Sequence, residues 1–260
     1  THVEGKPSPR RDAELIETEL LLADLSSVEK RLERAVKVAK GGEKAKKAEV
    51  ECLEFAREYL SRGTQIRQAL KEKPWSNPDF DIRELGLMTA KPQLYVANVR
   101  EEDVAAVADS SSSGLLRELV DLAAEQACDV VVISGKVESE VSQLNPEERK
   151  EFLAELNLES SGLERLALKG YKLLELITFF TVGPKETHAW TCTAGSTAPQ
   201  AAGKIHTDFE KGFIRAEVIS YEDYISCGGE QGARDRGLLR VEGKTYLMRD
   251  GDIVHFRFNV

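Results

Sequence analysis

The stretch AAGKIHTDFEKGFIRAEV, residues Ala201–Val218, decides how the last third of the chain is read. It combines a Pro-Gln-Ala-Ala-Gly turn at Pro199–Gly203, a His-Thr-Asp-Phe at His206–Phe209, and a run in which apolar and charged residues alternate. Period-two alternation means a strand with one buried and one wet face, which sets Ile214, Ala216 and Val218 inward and Arg215 and Glu217 outward. The same rule applies to His188–Cys192 and to Ile253–Val260, where Val254, Phe256, Phe258 and Val260 face in and His255, Arg257 and Asn259 face out. Glu242-Gly243 separates Leu239–Val241 from a further strand over Thr245–Met248, and Asp250-Gly251-Asp252 launches the last one. Short helices fit around Ala198–Lys204 and Tyr221–Ile225. A small mixed sheet with helices on one side follows, because a sheet with one apolar face must be covered.

Working outward, 260 residues suggest about two domains. A hydrophobic content of 41% is enough for real cores, and a net charge of −9 argues against a surface coated in basic residues for non-specific nucleic-acid or DNA binding. No apolar run is long enough to cross a bilayer and no signal peptide opens the chain, so a cytoplasmic, membrane-free protein is expected. Cys52, Cys128, Cys192 and Cys227 lie far apart without a Cys-x-x-Cys pair, which predicts reduced thiols.

Over Ala13–Ala39, Leu21, Leu25, Val28, Leu32, Ala35 and Ala39 recur at spacings of four and three, and Cys52, Phe55 and Tyr59 continue the pattern within Ala45–Leu60. With Gly41-Gly42 between them, two helices form a hairpin, either coiled-coil-like or an ordinary pair docked on a globular body. Its tip is basic: Lys30, Arg31, Arg34, Lys37, Lys40, Lys44, Lys46 and Lys47 face only Glu33 and Glu43 over that span. Such a cluster is either a solvated helix end or a finger that contacts phosphates by releasing counterions from RNA. After a return connection over Lys73–Pro92, the order strand (Gln93–Ala97), helix (Gly114–Ala127), strand (Val130–Ile133) indicates a parallel βαβ unit. Open parallel sheets bind ligands past the carboxyl ends of their strands. Here those places hold Asn98-Val99-Arg100-Glu101 and Ser134-Gly135-Lys136.

FFTVGPKETHAWTCTAGSTAPQAAGKIHTDFEKGFIRAEVISYEDY and the closing YLMRDGDIVHFRFNV resemble the C-terminal TGS domain of the YchF family, the Obg-like ATPases of the translation-factor GTPase class. The resemblance implies a ubiquitin-like β-grasp module over 177–260. It also implies an α/β and α+β multidomain architecture: a helical arm over 21–90, the second half of a nucleotide-binding domain over 91–176, and the end of that domain's first half over 1–20. Guanine-nucleotide proteins carry Asn-Lys-x-Asp and Ser-Ala-Lys at the two loop positions. This chain resembles the YchF variant, Asn-x-x-Glu, and a carboxylate one methylene longer suits guanine poorly. The resemblance therefore implies ATP as cofactor, with Asn98, Val99, Glu101, Ser134 and Gly135 around the base and Lys136 contributing backbone contact only.

Neither Gly-x-x-x-x-Gly-Lys-Ser/Thr nor Asp-x-x-Gly occurs in the sequence, so no loop to cradle phosphates and no magnesium ligand is encoded here. In the family these elements precede the arm, and Mg2+ is expected in the parent protein through residues upstream of Thr1. His2–Lys6 with Pro9–Asp12 resembles the end of that upstream half, which makes this chain the expected C-terminal portion, inactive in hydrolysis by itself. His188, His206 and His255 have no neighbouring ligand set, His206 with Asp208 lacks a nucleophile, and Trp190 and Phe213 read as core aromatics. Outward-facing Lys204, Lys211 and Arg215 mark a recognition surface. The expected function is a ribosome-associated, ATP-hydrolysing regulator. The alternative is a non-catalytic adaptor that binds RNA or protein through the arm and the last domain.

Overall fold

Helix α1 (Pro9–Ala39) opens with a proline, whose missing amide is harmless in a first turn, and Asp12 and Lys37 complement the charge of its two ends. The computed structural model describes residues 8–39, 43–104, 114–183 and 186–259, and divides into two compact units, one to Leu166 and one from Ala167.

In the first unit α1 packs along α2 (Lys44–Ser61), with Val28, Leu32 and Ala35 against Ala48, Cys52, Phe55 and Ala56. Gly41-Gly42 lies outside the described residues. The ion pair of Arg31 with Glu49 (2.7 Å), on either side of the connection, sets the two helices antiparallel. A short α3 (Ile66–Glu72) follows, and the return connection closes through two tight turns at Ile82–Leu85 and Met88–Ala90. Asp24, buried in the middle of α1, accepts hydrogen bonds from the amides of Met88 (3.0 Å) and Thr89 (2.7 Å). Trp75 lies on Phe55 at 5.5 Å and donates from its indole to the carbonyl of Phe80.

The predicted βαβ unit is present. β1 (Leu94–Asn98) runs parallel to β2 (Asp129–Ile133) in the register Leu94↔Asp129 to Asn98↔Ile133. Between them in the chain stand the short α4 (Glu101–Val104) and α5 (Leu115–Glu125), whose Leu119 and Leu122 pack with Ala97 and Val132. The serine run at Ser110–Ser113 lies outside the described residues. Glu17 of α1 accepts from Gln93 (2.9 Å), Gln126 (2.7 Å) and the Tyr95 hydroxyl, tying the helical pair to the strands. Beyond β2 come α6 (Gly135–Val141) and α7 (Pro146–Glu155), packed through Val137, Val141 and Leu153, and α8 (Gly162–Leu173), which runs across the division.

The second unit holds β3 (Leu176–Val182), β4 (Thr187–Thr193), β5 (Phe213–Ile219), β6 (Arg240–Glu242) and β7 (Ile253–Phe258), in the sheet order β4-β3-β7-β5-β6. The β3/β7 contact is parallel and the others are antiparallel, so the sheet is mixed. α9 (Ala198–Ile205) and α10 (Thr207–Lys211) pack on it, and Ala198, Ala201 and Ala202 are completely buried against Phe179, Ala216 and Val218. Alanines bring the helix backbone close to the sheet. α11 (Tyr221–Ser226) and α12 (Glu230–Asp235) complete the unit.

Two strand expectations need correction. Ile214 does not face inward: a bulge between Phe213 and Arg215 against β7 shifts the alternation, so Phe213, Ala216 and Val218 are buried while Ile214 is 55% exposed. Thr245–Met248 is not a strand. Its backbone meets the loop before α9, through one bridge (Thr197↔Leu247) and the bonds Ala198 N to Tyr246 O and Met248 N to Ser196 O. Buried Asp252 holds this segment by accepting from Tyr246 Oη (2.8 Å) and Arg249 N (2.9 Å). In β7, Val254 and Phe256 are buried and His255 and Arg257 exposed, as the alternation predicts. Val260 lies outside the described residues.

Candidate functional site

Parallel pairing in register puts the carboxyl ends of β1 and β2 side by side, so the two loops that leave them are neighbours. Val99 N donates to Ile133 O at 2.9 Å, extending the strand pairing into the first loop. Asn98 Oδ1 then accepts from Gly135 N at 3.1 Å, bracing one loop with the other. Ser134 is buried beneath this tie and Val99 is half-buried. Glu101 starts α4 at the rim, and Lys136 Nζ lies 2.6 Å from its Oε2. The Lys136 side chain thereby spans the two loops. That hydrogen bond holds the Lys136 ammonium above the ordinary lysine value.

The second loop is held from below. Glu138 of α6 accepts from Gly162 N (2.6 Å) and Leu163 N (3.2 Å), and Arg165 donates to the carbonyl of Val132 (2.8 Å). A Cβ on Gly162 would lie 2.7 Å from Ile133 Cγ2, so only glycine allows α8 to start this close to the end of β2. Gly135 carries no such demand, since a Cβ there would meet Asn98 Oδ1 at an ordinary 3.7 Å. A shallow depression beside Glu101 is lined by Glu102, Glu155, Leu156 and Asn157. Another concavity lies on the return connection around Trp75, Phe80 and Arg83. It is an open groove between loop side chains, and the braced loops remain the better candidate because their backbone and side-chain polar groups converge.

Of the basic residues at the tip of the helical pair, Lys30, Arg34, Lys37, Lys44 and Lys47 are exposed, Lys46 is half-buried with Glu49 at 3.7 Å, and Lys40 lies outside the described residues. Arg31 departs from the expectation. Its guanidinium bonds Glu49, donates to Glu84 O (3.0 Å) and lies over the Phe80 ring, so it fastens the return connection and is not free for phosphate. In the second unit Lys204 and Lys211 are exposed, whereas Arg215 shares Glu217 with Arg257. Those two arginines hold the Glu217 carboxyl below its ordinary value, Arg257 the more strongly. His188 lies tilted against Trp190, ring centres 4.1 Å apart, and His206 Nδ1 accepts from Asp208 N at 3.2 Å, while Phe213 is buried. Among the described residues no group of three His, Cys, Asp or Glu side chains could hold a metal ion.

Two braced loops at the carboxyl ends of parallel strands, a helical pair and a separate mixed-sheet unit make this a mixed α/β protein. A structure described as the Schizosaccharomyces pombe YchF GTPase has a TM-score of 0.83 at 35% identity, over 99% of this chain and 68% of that one. A GTP binding protein from Pyrococcus horikoshii OT3 shares the fold with a TM-score of 0.62 at 20% identity, over 100% and 75% of the two chains. The family YchF-GTPase_C, described as a protein of unknown function (DUF933), matches residues 176–259. "Ribosome-binding ATPase YchF" of Escherichia coli O157:H7 is 47% identical over all of this chain and 69% of its own length, and that of Bacillus subtilis strain 168 is 44% identical with the same coverage. The chain belongs to the YchF family.

Proposed function

We propose that this chain carries the base-recognition part of an ATP-hydrolysing regulator that works on the ribosome. The relatives named as ribosome-binding ATPases support the general reading. The observation that carries the site is the tie from Asn98 Oδ1 to Gly135 N with Glu101 at the rim of the same loop pair. In this reading Asn98 and Gly135 shape the pocket, Val99 and Ser134 line it, and the Glu101 carboxylate accepts from the exocyclic amino group of adenine. Glutamate reaches further than the aspartate of guanine sites and crowds a ring that needs both carboxylate oxygens at once.

The residues present suit a base and not its phosphates. No phosphate-cradling glycine loop is encoded in these 260 residues, so binding of the triphosphate and Mg2+ is assigned to groups outside them, and the chain by itself is proposed to hydrolyse no ATP. We assign 1–20 and 91–176 to the nucleotide-binding domain, 21–90 to a helical arm and 177–260 to a β-grasp TGS domain. The exposed lysines of the arm tip, with Lys204 and Lys211, are the proposed contacts to ribosomal RNA, and the cytoplasm is the proposed location. Titration with fluorescent ATP and GTP tests the base site: wild type should prefer ATP, and Glu101→Asp should shift preference toward GTP. Equal affinity for the two nucleotides in wild type sinks the assignment. Ribosome cosedimentation without any nucleotide binding would leave the adaptor reading.

A further inference from the structure

The ion pair at the rim of the loops has a consequence for which base is accepted. Lys136 Nζ sits 2.6 Å from Glu101 Oε2 and 3.8 Å from Glu140 Oε1, with the Lys136 and Glu101 side chains 68% and 35% exposed, within reach of a ligand. Exposed pairs of this kind contribute little to folding. One oxygen of the Glu101 carboxylate is therefore already engaged before any base arrives.

The two purines differ in what they ask of a carboxylate. The pairing edge of guanine presents two adjacent donors, N1–H and N2–H, which a carboxylate meets with both oxygens. Adenine presents one donor, the 6-amino group, beside the acceptor N1. An ammonium on Oε2 competes with the second guanine donor and repels it, because both carry positive charge toward the same oxygen. The same ammonium can donate to adenine N1. We propose that Lys136 is a positioning residue for base selection: by holding Oε2 of Glu101 it leaves an edge with one free acceptor and one donor, which matches adenine and strands a guanine N–H. This inference rests on the base-site reading of the two loops and assigns the selectivity to a side chain outside the Asn-x-x-Glu motif.

The test is a titration of the full chain with fluorescent ATP and GTP, carried to concentrations at which the base alone registers binding without the phosphate contacts assigned outside these residues, for wild type, Lys136→Met and Lys136→Arg, with circular dichroism to verify that each variant is folded. Lys136→Met should lower the ATP-over-GTP affinity ratio about tenfold, mainly through tighter GTP binding, and Lys136→Arg should restore it. Raising the salt should erode the ratio in wild type and leave Lys136→Met unchanged, since an exposed ion pair is screened. A wild type that prefers ATP, with a Lys136→Met ratio within about twofold of it, overturns the role of Lys136 and leaves the base site standing. A wild type that binds neither nucleotide, or both equally, overturns the base site and this inference with it.

Discussion

Replacing Asp24 with alanine should unfold the first unit far more readily than its position in a long surface helix suggests. The carboxylate is buried and accepts from the amides of Met88 and Thr89, and Thr89 is itself buried, so truncation leaves two donors without a partner. Each buried unsatisfied polar group costs about 1–3 kcal/mol, and with some water entering the space a total near 3 kcal/mol is expected. Asp24→Asn retains one acceptor oxygen and should lose about 1 kcal/mol. Trp75 lies in the first unit and Trp190 in the second, so a Trp190→Phe background makes fluorescence report the first unit alone. With a urea slope of about 2 kcal/mol per molar, Asp24→Ala should move the Trp75 midpoint down by about 1.5 M. A shift below about 0.3 M, or equal shifts for the alanine and asparagine variants, would refute the view that this carboxylate clamps the return connection to α1.

Two further outcomes follow from the packing. Burial pushes the Glu17 carboxyl up, but hydrogen bonds from Tyr95, Gln93 and Gln126 and the charge of Arg67 outweigh it and leave the group below its ordinary 4.5. A carboxyl depressed on folding stabilises above its unfolded value and loses that contribution as pH falls through the folded one. Thermal melts of the first unit should therefore drop as pH is lowered beneath about 4.5, and Glu17→Gln should flatten that part of the profile. In the second unit, Ile214→Thr should change stability by less than about 0.5 kcal/mol, whereas Val218→Ala should cost about 2 kcal/mol in chemical denaturation. Comparable losses at the two positions would show that the bulge is misplaced.

What the sequence made legible is what depends on local pattern. The apolar spacing of Val28, Leu32 and Ala35 marked the helix seam, and the runs ending at Ala97 and Ile133 marked a parallel pair whose loops had to emerge together. What stayed hidden depends on partners distant in the chain. Asp24 carries no signal in the sequence because the amides it holds lie on the return connection, and nothing near Arg31 announces Glu84 or Phe80. The alternation through Ile214 failed because an extra residue was accommodated opposite β7, which only the facing strand reveals. The pairing of Lys136 with Glu101 bridges two strands' ends and leaves no mark in the local sequence.

β7 occupies the middle of its sheet, flanked by β3 and β5, although it follows every other strand of that unit in the chain. A chain made from the amino terminus onward thus has β3 and β5 in hand before the strand that lies between them. Only the arrival of the central strand can zip them together, and contacts this distant in sequence form slowly. Until β7 is in place, β3 and β5 each lack a neighbour on that side, and an unpaired strand edge is open to wrong pairing.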